Sequence, residues 1–274
     1  MDINTAMVSS MICTGQGYAQ LAEMSAILNI PPMANQTFLN TQANLASAIH
    51  DVAWEEMKKA AMEESELAIK ANEVDKDGIP LITVVCDGSW AKRSYCTNYN
   101  SLSGVACIVG FRSKKVIFIG VRNKYCCICS QAISKDPTTE ARPHICFKNW
   151  NSSSTAMEAD IIAEGFKNSV TMYNLKYNRL LGDGDSSIMQ RLGRVIPYGI
   201  DLPVQKVECS NHLLRNYCNR IREVVKKPNN WKGHVPATIR KNVGDNLPPL
   251  RNVVSSAIKF QKNAPTPDSA SLQY

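Results

Sequence analysis

The apolar positions along the chain change period several times, and each change predicts an element. Residues 81–86, Leu-Ile-Thr-Val-Val-Cys, form a short run rich in β-branched side chains. Such a run is too short for most helices and predicts a buried strand. It leads into Asp87 and Gly88, where glycine allows a sharp turn, so the strand is expected to end there. Four more runs predict strands near 104–111, 115–121, 178–182 and 203–207. Arg112-Ser113-Lys114 is short enough for a hairpin link, which makes the first three strands an antiparallel meander. Met157, Ile161, Phe166 and Val170 fall on one helical face, so a helix is expected from the serine-rich stretch before Thr155 to about Tyr173. A strand, a crossover helix and a second strand normally pair parallel. The first and fourth strands are therefore expected side by side, with Asp87 and Asp183 emerging together.

Upstream, the pattern is helical. Leu21, Met24 and Leu28 predict one short helix in residues 1–30, stopped by Pro31-Pro32. A longer helix is expected from about Thr41 to Asn72. Its apolar stripe is Leu45, Ile49, Val52 and Ala60, while Glu55, Glu56, Lys58, Lys59, Glu63 and Glu64 mark the solvent side. Asp75-Lys76-Asp77-Gly78 reads as a turn. A basic helix carrying Arg215, Arg220, Arg222, Lys226 and Lys227 is expected to follow the last strand, and residues 264–274 read as a frayed tail. The pattern divides the chain into an N-terminal helical region (1–78), a core with an inserted loop at 126–146 (79–227), and a basic C-terminal segment (228–274).

Composition narrows the setting. At 274 residues and 44% apolar content, the chain can bury one large core with an appendage. No apolar run is long enough to span a bilayer, and Met1-Asp2-Ile3-Asn4 does not open a signal peptide. A reducing compartment is expected, where ten cysteines point to metal ligands or buried thiols rather than disulfides. The net charge of +7 is uneven: after residue 200 there are twelve Lys/Arg against five Asp/Glu. That excess fits a polyanion such as DNA or RNA, or equally a solvated basic face.

Three groups of residues carry candidate chemistry. Cys126-x-x-Cys129 and His144-x-Cys146 are two close pairs of zinc-type ligands, and Cys127 could replace Cys126. With all four positions filled by protein, the expected zinc site is structural. Asp87 and Asp183, with Asp185 as fallback, stand at strand ends where two carboxylates can share divalent metals for phosphoryl transfer. Thr155-x-x-Glu158 has the form of a capping box, so Glu158 either caps the helix or faces the sheet and joins Asp87 at a metal. Cys209 and His212 are three apart, which on a helix places them on one face. They could bind metal, contact DNA, or pack as an ordinary thiol and imidazole.

Five motifs occur in fixed order: CDGSW at 86–90, the CxxC…HxC pair, NWxxSSxxME from Asn149, GDGDSS from Gly182, and KVECSNHLLRN from Lys206. The series resembles the Mutator-like transposase domain of eukaryotic DNA transposons, over most of the chain. The resemblance implies an α/β fold: a ribonuclease H-like mixed five-stranded sheet flanked by helices, here with an N-terminal helical layer and a zinc-knuckle-like loop. It implies a DDE-type mechanism using Mg²⁺ or Mn²⁺, with Asp87 as first acid and Asp183 or Asp185 as second. Cys209 and His212 match the family's CxxH signature. Glu158 occupies the position where ribonuclease H itself carries a carboxylate, by analogy. DNA is the implied partner and the nucleus the implied setting, with no membrane role and with room for a homo-oligomer. The family's third acid should lie beyond the CxxH pair, where the chain offers only Glu223, Asp245 and Asp268, and none fits. Two functions follow: a metal-dependent core for DNA strand cleavage and transfer, incomplete as it stands, or an inactive zinc-stabilised module that binds DNA or protein. A weaker third is a hydrolase in which Glu158 replaces the missing acid. The sequence favours salt-sensitive DNA binding without efficient cutting.

Overall fold

A computed structural model of the protein describes residues 2–92, 100–135, 140–182, 186–230 and 233–263. Three helices open the chain: α1 (Ile3–Thr14), α2 (Tyr18–Ile27) and α3 (Asn35–Lys70). Strands β1 (Leu81–Trp90), β2 (Ser103–Gly110) and β3 (Val116–Asn123) follow as the meander. Then come α4 (Cys127–Lys135), α5 (Ala156–Tyr173), β4 (Lys176–Gly182), α6 (Ser186–Val195), β5 (Gln205–Glu208) and α7 (Ser210–Lys226). The described chain closes with a two-residue ribbon, β6 (Asn229–Asn230) and β7 (Gly233–His234), and helices α8 (Ala237–Asp245) and α9 (Leu247–Asn263).

The main sheet has five strands in the order β3-β2-β1-β4-β5. β1–β2 and β2–β3 pair antiparallel, whereas β1–β4 and β4–β5 pair parallel. This is the mixed, helix-flanked sheet of the ribonuclease H-like expectation. α5 makes the crossover between the meander and β4, as the parallel pairing requires. It packs Ile161, Ile162 and Phe166 against a sheet face that presents Ile82, Val84, Cys86, Ala106, Ile108 and Phe118, all buried. Phe166 meets Tyr177 of β4 edge-to-face, with ring centroids 5.2 Å apart. The alternate residues of the meander look the other way. There Asp87 pairs with Cys107, and Ile119 and Val121 stay 46% and 52% exposed.

Several sequence expectations change. Two helices, not one, fill the first 30 residues. Asp2 caps α1 by accepting the Thr5 N–H at 2.8 Å, and Gly15 ends it at φ 69°. Only Val8 and Met11 of α1 are buried, too few to give a visible stripe. α3 buries Phe38 against α1 and α2, and Met57, Ala60, Ala61 and Ala68 farther on; Ile49 and Val52 remain more than half exposed.

Glu64, expected in solvent, is fully buried. Its Oε1 accepts the backbone N–H groups of Arg112 (2.9 Å) and Ser113 (2.6 Å) in the β2–β3 turn. Gly110 leaves the space that this carboxylate fills. A turn's unpaired N–H groups need an acceptor, and α3 supplies one from below. The Asp75 turn stands as read: Asp75 Oδ1 accepts from Asp77 and Ile79 N–H groups, and Oδ2 pairs with Lys176 of β4.

The largest change concerns β1, which continues through Asp87 and Gly88 to Trp90. β2 pairs with the whole extension, Asp87 to Cys107, Gly88 to Ala106 and Trp90 to Gly104. Ladder pairing holds the Asp-Gly dipeptide extended where its local preference is a turn. Residues 264–274, read as a frayed tail, lie outside the described residues.

Candidate metal centres

The acidic centre begins with Asp87 on β1. Its Oδ1 accepts the N–H of Gly88 at 2.9 Å. Gly88 points to the opposite face, toward the first turn of α5, where Glu158 stands. A Cβ on Gly88 would lie 2.6 Å from Cδ of Glu158 and 3.0 Å from its Oε1. Carbon atoms normally approach to about 3.5–4.0 Å. The missing side chain therefore makes room for the Glu158 carboxyl group beside the Asp87 backbone.

The residues around the start of α5 hold that placement. Trp90 Nε1 donates to the Ser154 carbonyl at 2.9 Å, and the buried Ser154 Oγ donates to the Ser101 carbonyl at 2.7 Å. Met157 is completely buried beneath the first turn. The first and third sequence motifs thus touch directly, through Trp90 on Ser154 and Gly88 on Glu158. Thr155 takes helical angles, φ −65° and ψ −26°, and makes no side-chain cap bond. Its hydroxyl lies 3.1 Å from that of Ser153. The capping-box expectation fails at its first residue, because a cap needs an extended backbone to turn its oxygen toward the helix.

Two thiols report on both carboxylates. Burial pushes the Cys86 thiol well above its usual range, with added effects from Cys107, Glu158 and Asp87. Cys107 is raised by burial first, then by the charge of Asp87 and, less, Glu158; its S–H points to the Asp87 carbonyl at 3.8 Å. Asp87 and Glu158 therefore stand near the same thiols but on the two faces of β1, Asp87 on the face away from α5 and Glu158 on the α5 side.

β4 runs parallel beside β1, with Val85 opposite Leu181, and Gly182 is its last residue. The expected second acids Asp183 and Asp185 lie outside the described residues. Cys209 and His212 come at the start of α7, but Cys209 is the extended residue before the helix, so the one-face argument does not hold for it. His212 Nδ1 is buried without a hydrogen-bond partner among the described residues. Glu223 pairs loosely with Arg220, at 3.6 Å, and Asp245 ends α8. Asp268 is outside the described residues.

The second centre lies in the insertion between β3 and α5. Its stem is closed by Asn149, whose Oδ1 accepts the Asn123 N–H at 2.7 Å and whose Nδ2 donates to the Val121 carbonyl at 3.0 Å. Within the insertion, where the sequence predicts a loop, Cys126 stands immediately before helix α4. The Ser130 N–H bonds the Cys126 carbonyl at 2.9 Å. Across from it, an extended segment brings back His144 and Cys146. The ligand atoms of Cys126, Cys129, His144 and Cys146 all lie within 4.8 Å of one another. His144 Nε2 is 3.2 Å from Cys126 Sγ and 3.4 Å from Cys129 Sγ, and Cys129 and Cys146 sulfurs are 3.7 Å apart. A tetrahedron with Zn–S bonds of about 2.3 Å has S–S edges of about 3.8 Å. His144 Nδ1 is 2.7 Å from the Arg142 carbonyl, an arrangement that turns Nε2 inward. Among the described residues this is the sole cluster of at least three Cys, His, Asp or Glu side chains close enough to share a metal.

The cluster's protonation is uneven. The Cys129 N–H at the start of α4 holds the Cys126 thiol down at about 6, with help from His144. Cys129 is pushed up to about 11, mainly by its hydrogen bond with Cys146. The Arg142 carbonyl, then Cys126 and Cys146, raise His144. Gly88, Trp90, Ser154 and Asn149 were missed as site-building residues. The signal for them was present only as membership of the motifs.

Fold and site together define an α/β protein of ribonuclease H-like architecture, with a Cys₃His cluster in an insertion after its third strand. The family model of the Mutator-like transposases matches residues 1–273, and the chain belongs to that family. None of the curated proteins compared with it matches. Among solved structures, Ciona intestinalis endonuclease V in complex with an inosine-containing DNA is similar at 13% identity, over 62% of this chain and 68% of that one, with a TM-score of 0.25. Among the described residues, no helix is long and apolar enough to cross a membrane.

Proposed function

We propose that the chain is a transposase core that binds DNA and performs metal-dependent phosphoryl transfer, with Asp87, Glu158 and Asp183 as its carboxylates and Asp185 as substitute for Asp183. One observation carries this reading: the Glu158 carboxyl group is packed against Gly88, the residue after Asp87. It supports Glu158 as the carboxylate that completes the set, in place of an acid beyond the CxxH pair. Carboxylate oxygens are hard donors and fit Mg²⁺ or Mn²⁺. A bound divalent ion would neutralise charge on the attacking and leaving oxygens of the phosphate. The protein's part is to hold each carboxylate in place, Asp87 by the β1–β2 ladder and Glu158 by the Trp90–Ser154 bond at the start of α5. The Cys₃His set fits zinc in donor softness and edge length, as a structural site. The organisation proposed is a helical region (1–78), the core (79–227) and a basic segment (228–274).

DNA would be met by the basic face of α7, where Arg215, Arg222, Lys226 and Lys227 are exposed while Leu214 and Cys218 are buried. Affinity should then fall with salt, with a log–log slope of about −0.9 per phosphate contacted. The decisive test is a cleavage and strand-transfer assay in Mg²⁺ and Mn²⁺, comparing the chain with Asp87→Ala, Glu158→Gln and Asp183→Ala. Cutting lost in all three is the expected result. Salt-sensitive binding with no cutting by the unaltered chain would replace this reading with that of a binding module. Cutting that survives Glu158→Gln would remove Glu158 from the site.

A further inference from the structure

The zinc-type insertion displays side chains that its own fold does not use. Ile145 and Phe147 flank the ligand Cys146 and are 82% and 72% exposed. Leaving a large apolar side chain in water forgoes about 1.5–3 kcal/mol of burial. The backbone that carries them is fixed at both ends, by His144 and Cys146 in the cluster and by Asn149 on the stem. Both side chains are thus held out on a rigid support. The surrounding charge is positive: in the insertion Lys124, Lys135, Arg142 and Lys148 stand against two acids, Asp136 and Glu140. None of these four cations makes an ion pair among the described residues, although several acids elsewhere are paired.

We propose that this surface is a stacking site for unpaired nucleotides, with Phe147 supporting a base, Ile145 packing beside it, and Arg142 and Lys148 meeting the adjoining phosphates. The inference rests on the reading of the chain as a DNA-binding protein. An exposed aromatic ring among cations that form no ion pair among the described residues matches the two faces of a single strand, one apolar and one anionic. A protein partner would more often offer carboxylates and apolar surface without a regular phosphate spacing. Intact duplex hides its base faces within the helical stack, so the surface is complementary to frayed or single-stranded segments, such as those at a cleaved end. Rigidity adds to affinity because no ordering cost falls due on binding.

The test uses the full, zinc-loaded chain and two fluorescent probes of one sequence, single-stranded and duplex, of about 16 nucleotides. Phe147→Ala should weaken single-strand binding roughly 5- to 150-fold. Duplex affinity, zinc content and thermal stability should be unchanged. Phe147→Leu should resemble Phe147→Ala, because it keeps bulk but loses the ring face, and Phe147→Trp, which keeps a ring face, should retain binding. Single-strand affinity that is untouched in these variants, or full binding by Phe147→Leu, would overturn the proposal alone. So would loss of self-association in Phe147→Ala with DNA binding intact, which would make the surface a protein contact. Failure of the unaltered chain to bind either probe would overturn both this inference and the DNA-binding reading on which it rests.

Discussion

Replacing Gly88 with alanine isolates the contact on which the proposed acidic centre rests. The new methyl carbon would sit 2.6 Å from Cδ and 2.8 Å from Cγ of Glu158, about 1 Å inside normal contact. β1 cannot yield easily, since Gly88 is paired with Ala106 in mid-ladder. The start of α5 is held by Trp90 and Ser154. The Glu158 side chain is the softest element and should swing away. Overpacking of this kind costs about 1–3 kcal/mol, less where a flexible side chain absorbs it. The carboxylate, however, moves by about an ångström, and a displacement of that size can lower catalysis about 100-fold. Mn²⁺ affinity, followed by electron paramagnetic resonance or calorimetry, should fall in Gly88→Ala while unfolding in urea shifts little. Glu158→Gln should lower affinity too, and Gly88→Ala combined with Glu158→Gln should be no worse than Glu158→Gln alone, because both act through one group. Additive losses in the double variant, or unchanged Mn²⁺ affinity in Gly88→Ala, would refute the reasoning.

Other regions give independent tests. Purified protein should hold about one zinc, and a strong chelator or Cys129→Ser should lower its melting temperature without abolishing the sheet, as followed by circular dichroism. Glu64→Ala should destabilise the fold by about 1–3 kcal/mol in urea titrations, because two part-buried backbone donors in the β2–β3 turn lose their carboxylate acceptor. Asp75 should govern part of the acid response: burial raises its pKa, but the hydrogen bonds from Lys176 and the Ile79 and Asp77 N–H groups outweigh this and hold it below 3.8. Its contribution is therefore fully present above that ordinary value and lost as pH falls through the lower folded one, so Lys176→Met should flatten the acid limb of a stability–pH curve. Phe166→Ala, which empties the centre of the α5–sheet contact, should cost about 3–5 kcal/mol.

Much of this protein is legible in the order of its residues. The five strands, the meander, the crossover helix and the Cys₃His quartet follow from local signals: period-2 and period-3.6 runs, a short link, and ligand pairs at close spacing. Those signals survive because each element buries the face that its own pattern marks. What the local pattern could not contain is the identity of distant partners. Glu64 belongs, by its neighbours, to a solvated helix face, yet its donors lie 48 and 49 positions away in a turn. Asp87-Gly88 reads as a turn until β2 supplies a ladder for it. Glu158 reads as a cap until Trp90 fixes Ser154 from 64 positions away and brings the helix start onto Gly88. A carboxylate or a glycine carries little hydrophobic signal, so its role is set by which backbone or side chain the folded chain brings within 3 Å of it, and that is a property of the tertiary structure alone.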